Sequence, residues 1–134
     1  MPNRAIEIHD STLADISLLQ SEAKLHFASV YIHQSEGIPG RDAGSVWVQK
    51  AIIRISDAKV RGTFSEFPVH LSGGQILMGQ NCADNIIPVP LHHKGAFELR
   101  LETWRQAREV VTFTGSGAEL ELLGEPEYLE EFRP

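Results

Sequence analysis

The amino-acid sequence predicts an all-β fold, an antiparallel β-sandwich or barrel of about eight to ten short strands with little helix. Three observations predict it. Apolar residues recur with a period of two along most of the chain. Turn-forming residues interrupt these runs roughly every eight to twelve positions. Only residues 11–23 carry a helical spacing as well.

In "FELRLET" (97–103), Phe97, Leu99 and Leu101 share one face, and Glu98, Arg100 and Glu102 share the other. This is the pattern of a half-buried strand. "EVVTFT" (109–114) is β-branched and aromatic, "GSG" (115–117) reads as a turn or bend, and "AELELL" (118–123) alternates again. Together these segments predict an antiparallel meander. "KLHFASVYIH" (24–33) places Leu25, Phe27 and Tyr31 on one face, and "SVWVQKAIIRIS" (45–56) reads as a strand apolar on both sides for part of its length. Residues 61–80 hold two short strands around Ser72-Gly73-Gly74, whose glycine pair signals a hairpin. "NIIPVPL" (85–91) has Pro88 and Pro90, which cannot donate to a ladder, so it reads as an edge strand or an extended crossing. Residues 11–23 fit a helix through Leu13, Ile16, Leu19 and Ala23, and a strand through Ala14, Ile16 and Leu18. The surrounding strands favour the strand, with Ser21-Glu22 as its turn.

At 134 residues the chain fits one domain, 1–134, long enough to bury a core without staples. No apolar run is long enough to span a membrane as a helix. The start of the chain lacks the apolar segment of a secretory signal, and the single Cys82 cannot form an internal disulfide; both point to the cytoplasm. The net charge is −6 with no cluster of Lys and Arg, which argues against nucleic acid as a partner. The last sixteen residues carry six Glu against one Arg. They read as a solvated acidic edge or as a face for a basic protein partner. Exposed edge strands also leave self-association open.

Residues 9–11, His-Asp-Ser, are the residue types of a hydrolytic triad. On a regular strand His9 and Ser11 share one face and Asp10 lies behind, out of reach of the imidazole. A triad needs all three in mutual hydrogen-bond reach. The expectation is therefore structural, with Asp10 anchoring backbone N–H groups more strongly than the Ser11 hydroxyl. Adjacent His92 and His93 face opposite ways, and no metal-ligand spacing such as HExxH occurs, so no metal and no cofactor is expected. Cys82 has no evident base beside it and reads as a buried or idle thiol. The loop "HQSEGIPGRDAGSVW" (33–47) is too long for a tight hairpin. It reads either as a binding loop presenting Glu36, Arg41 and Asp42 over Tyr31 and Trp47, or as a connection tied to itself by Arg41 and Asp42.

"IEIHDSTL", "YIHQSEG" with its Gly-rich loop and "WVQ", "NIIPVPL" and "LELLGEPEYLEEF" together resemble a group of small uncharacterised bacterial β-proteins across nearly the whole chain. The "HDS" start is similar to that of immunity proteins, which neutralise the toxins of neighbouring bacteria. This resemblance implies a binding protein and transfers no catalytic residue. The first functional expectation is thus a non-catalytic protein-binding module with binding residues among His9, Asp10, Tyr31, His33, Glu36, Arg41, Asp42 and Trp47. The alternative is a small-ligand-binding or hydrolytic enzyme whose pocket gathers His9, His33, Glu36 and Arg41.

Overall fold

The structure of the chain, a computed structural model, describes residues 2–105 and 107–134. Ten strands follow one another: β1 (Asn3–Leu19), β2 (Glu22–Ser35), β3 (Gly44–Ser56), β4 (Lys59–Arg61), β5 (Val69–His70), β6 (Gly73–Met78), β7 (Asn81–Asp84), β8 (Ile86–Val89), β9 (His92–Trp104) and β10 (Arg108–Phe132). No helix occurs among the described residues. The all-β expectation holds, and residues 11–23 are strand. The turn lies at Gln20-Ser21, not at Ser21-Glu22, and both residues take positive φ, at 53° and 68°. That is the backbone a two-residue hairpin requires.

All strands belong to one antiparallel sheet in the order β5-β1-β2-β3-β10-β9-β6-β7, with β4 against β10 and β8 against β1. The connections curl this sheet toward a barrel. β5 pairs with Thr12 and Leu13 of β1, and within three residues the chain crosses to pair as β6 with β9. A little later β7 pairs with β6, the chain turns at Asn85, and β8 pairs with Arg4–Glu7 of β1. The two ends of the sheet are thus joined by the same short stretches of backbone. The curled sheet encloses a single cluster that includes Leu13, Leu25, Ile53, Ile55, Leu99, Leu101 and Phe113, each completely buried.

Four expectations are corrected by this topology. Gly73-Gly74 is no hairpin turn, since β5 and β6 pair with different partners. Gly74 is needed because a Cβ there would come within 2.1 Å of the Arg100 carbonyl oxygen. Residues 109–123 are not two strands of a meander: β10 runs through "GSG" with a bulge between Gly115 and Gly117. A Cβ on Gly115 would come within 2.3 Å of the Ser56 oxygen, so the glycine admits β3 as β10 passes from β4 to β3. The strands are not uniformly short, because one curled sheet lets β1, β2, β3, β9 and β10 run for 13 to 25 residues. Finally, a register shift between Phe27 and Val30 in β2 turns Tyr31 away from the face of Leu25 and Phe27.

Candidate functional site

The most irregular backbone of the sheet lies in the stretch that holds His9, Asp10 and Ser11. β1 and β2 are in register from Asn3↔Ser35 to Glu7↔Tyr31 and resume at Thr12↔Ser29. Four residues of β1, 8–11, therefore stand against Val30 alone. A bulge of this size needs its own hydrogen bonds. Asn85 supplies two, its side-chain oxygen accepting from His9 N at 2.7 Å and its carbonyl from Ile8 N at 2.9 Å. Leu71 O accepts from Asp10 N at 3.2 Å, and Leu71 N donates to Ser11 O at 3.0 Å. Asp10 takes φ of 76°, a left-handed conformation that Asp tolerates better than most residues.

The bulge breaks the alternation expected of a regular strand. Asp10 does reach the imidazole, with Oδ2 at 3.2 Å from His9 Nδ1, and Glu7 Oε2 is 3.5 Å from the same nitrogen. Ser11 goes the other way. It is buried, its Oγ donates to Glu7 O at 2.7 Å and it accepts from Tyr31 N at 3.0 Å. The hydroxyl is thus committed to the β1–β2 backbone and offers no nucleophile. The side chain that bonds the backbone here is the serine and not Asp10, whose side chain is half exposed.

Behind the bulge, His33 is buried and its Nε2 lies 2.8 Å from Glu7 Oε1. Its Nδ1 has no hydrogen-bond partner. A neutral ring donating from Nε2 to the carboxylate satisfies this arrangement, because Nδ1 then carries only a lone pair. The edge of Phe132 meets the ring at 4.9 Å and Tyr31 at 5.6 Å, while Gly40 brings the 36–43 loop over it. The Tyr31 hydroxyl donates to Glu130 Oε1 at 2.9 Å. Burial, then the bond and charge of Glu130, push its pKa up to about 12. A folded-state pKa above the unfolded value means that the stability this tyrosine confers is present below about pH 10 and lost as pH rises toward 12. Glu130→Gln is expected to lower this pKa without returning it to 10, because the burial remains. Near-ultraviolet titration in a Tyr128→Phe background isolates Tyr31, and an unchanged pKa would remove Glu130 from the account.

The 33–47 loop divides the remaining predicted residues. Asp42 Oδ2 accepts from Ile38 N at 2.7 Å, and Arg41 Nε lies 3.7 Å from Asp42 Oδ1, so this pair ties the loop to itself. Glu36 and Arg41 are exposed, whereas His33 is sealed beneath the loop. Trp47 lies on the opposite face of the sheet from His33 and Tyr31, edge-on to Tyr128 with ring centroids 5.3 Å apart. The structure thus gathers His9, Asp10, Tyr31 and His33 through Glu7, and among the described residues no side-chain hydrogen bond or ion pair joins Glu36, Arg41, Asp42 or Trp47 to that group. Glu7 and Glu130 escaped the sequence reading. Glu7 opposes Tyr31 in register, but no sequence signal places the bulge that turns His9 toward it.

One donor atom from each of Glu7, His9 and Asp10 lies within 4.8 Å of the others. These are the residues that would hold a cation on this face, with His33 fixing Glu7 from behind. The larger clefts lie elsewhere. One of about 550 Å³ lies beside Arg4, Gln34 and Val89, and another of about 400 Å³ beside Gln49, Lys50 and Glu127. Cys82 is exposed on β7 and not buried. No family model, curated protein or solved structure matches the chain.

Proposed function

We propose that the protein is a non-catalytic binding module, of the immunity kind, that takes a basic protein partner on the acidic end of β10. The observation that carries this reading is the exposure of residues 124–131. All eight are solvent-exposed although they belong to a strand paired with β3. A strand bare on both faces lacks the apolar cover that usually holds such an element. Glu125, Glu127, Glu130 and Glu131 lie in this stretch, and among the described residues no Lys or Arg pairs with them. Further back on β10, by contrast, Glu121 is 2.6 Å from Arg54. Tyr128 and Leu129 are about half exposed between the acids, with Trp47 beside Tyr128. Aromatic anchors inside a charged rim are the usual anatomy of a protein interface. The charges would steer a cationic partner and set its orientation. The proposed setting is the bacterial cytoplasm, where a toxin would meet its inhibitor.

Co-purification with the protein encoded by the adjacent gene tests the reading. A complex is expected at micromolar concentration, weakening as salt is raised. Reversing the charge of Glu125, Glu127, Glu130 and Glu131 together should weaken it about a hundredfold or more, since close interfacial charge pairs are each worth on the order of 1.5 kcal/mol or above. An unaltered affinity in that variant counts against the acidic face, and no complex with the wild-type chain counts against the function.

A further inference from the structure

We infer that the outer edge of β10 at Glu127–Phe132 is a docking edge for an extended basic segment, which joins the sheet as an added strand. The inference rests on the binding reading above and specifies how the partner is held. On one side β10 pairs with β3 as far as Phe132↔Gly44. On the other side, pairing with β9 ends at Glu119↔His92, and the last backbone bond runs from Leu120 N to Leu91 O. Beyond that point no strand among the described residues covers the second edge. In an antiparallel ladder alternate residues direct both N–H and C=O away from an existing neighbour, so this edge presents unpaired backbone groups. Pro126, which has no N–H, sits just before the segment and sets its start at Glu127.

The side chains specify the occupant. Glu127 opposes Val48 and Glu130 opposes Val46, which places both on one face; Tyr128 opposes Trp47 on the other. An incoming strand therefore meets the carboxylates of Glu127 and Glu130 on one face, and on the other the aromatic pair with Glu131, whose carboxylate accepts from the Tyr128 hydroxyl at 3.1 Å. On the aromatic side a crevice of about 160 Å³ opens between Arg4, Gln34, Trp47 and Pro126. The matching segment alternates Lys or Arg with apolar residues. A second copy of the chain would align these glutamates with one another, and like charges directly opposite destabilise a strand pair. Charge complementarity thus favours a basic partner over self-pairing, and strand addition is a recurring mode of peptide recognition.

The test uses a synthetic peptide alternating Lys with Val, and the same peptide N-methylated at every second backbone nitrogen. Fluorescence anisotropy with the full chain reads binding, and amide hydrogen exchange reads protection at residues 127–132. The parent peptide is expected to bind and to protect these amides. N-methylation should weaken it about tenfold or more, as should Glu127→Lys. Equal binding of both peptides would overturn strand addition and leave the acidic-face reading standing. No peptide binding alongside an intact complex with the adjacent gene's product would also overturn the edge alone. Failure of both the peptide and that complex would remove the binding reading itself. A dimer by light scattering, with the same amides protected in the absence of peptide, would make a second copy the occupant and overturn the proposal.

Discussion

Gly74→Ala is expected to destabilise the fold by about 3 kcal/mol or more, the upper end of the range for steric overpacking. The added methyl would sit 2.1 Å from the Arg100 carbonyl oxygen and 3.3 Å from Ile8 Cδ1. Arg100 is held on both sides, against Gln75 of β6 and Thr112 of β10, so its carbonyl cannot yield without disturbing two ladders. β6 would have to lift from β9 where the chain crosses from one end of the sheet to the other. Chemical denaturation should show the midpoint falling with an unchanged slope, the signature of lost stability in an intact native state. Gly79→Ala provides the comparison. Gly79 has φ of 62° but nothing within 4 Å of an added Cβ, so only the left-handed backbone cost of about 1 kcal/mol applies. Equal losses in the two variants would show that conformation, not crowding, governs Gly74.

The same glycine marks how far the sequence could be read. Alternation in 97–103 and the β-branched run of 45–56 give β9 and β3 directly, because such patterns depend only on which face meets the core. Which strands pair is a different question. Gly73-Gly74 has the composition of a hairpin turn, and nothing local distinguishes a turn from a close crossing of backbones. Gly115 and Gly117 pose the same problem, since a bend inside one long strand and a turn between two strands call for the same residue. The site follows this division. Arg41 and Asp42 tie their loop as one of the two readings had it, because that contact is local. Glu7 with His33, and Tyr31 with Glu130, are contacts 26 and 99 residues apart in the chain. The acidic composition of β10 was legible; that residues 124–131 stay uncovered depends on where β9 begins, which is a property of the whole sheet.

Ser11→Ala is expected to cost about 1 to 3 kcal/mol, the usual price of leaving buried hydrogen-bonding groups unmet. The Ser11 hydroxyl donates to the Glu7 carbonyl and accepts the Tyr31 amide, so it bridges the two strands where the bulge removes their direct pairing. Removing it leaves the Tyr31 N–H without that acceptor at a site closed to water, where Ser11 itself is 1% exposed. The melting temperature should fall by roughly 3 to 12 °C for a domain of this size. Asp10→Ala should cost less, about 1 kcal/mol, because its carboxylate is half exposed and only its left-handed backbone disfavours alanine. Asp10→Gly relieves that backbone cost and should melt within a degree or two of the wild type, on the scale of small surface changes. Thermal melts of the three variants check the order. Asp10→Ala proving the more damaging would mean that the carboxylate holds the bulge. Ser11→Ala melting like the wild type would mean that another group takes over the Tyr31 amide, and the hydroxyl would then be free for a role other than bracing β1 against β2.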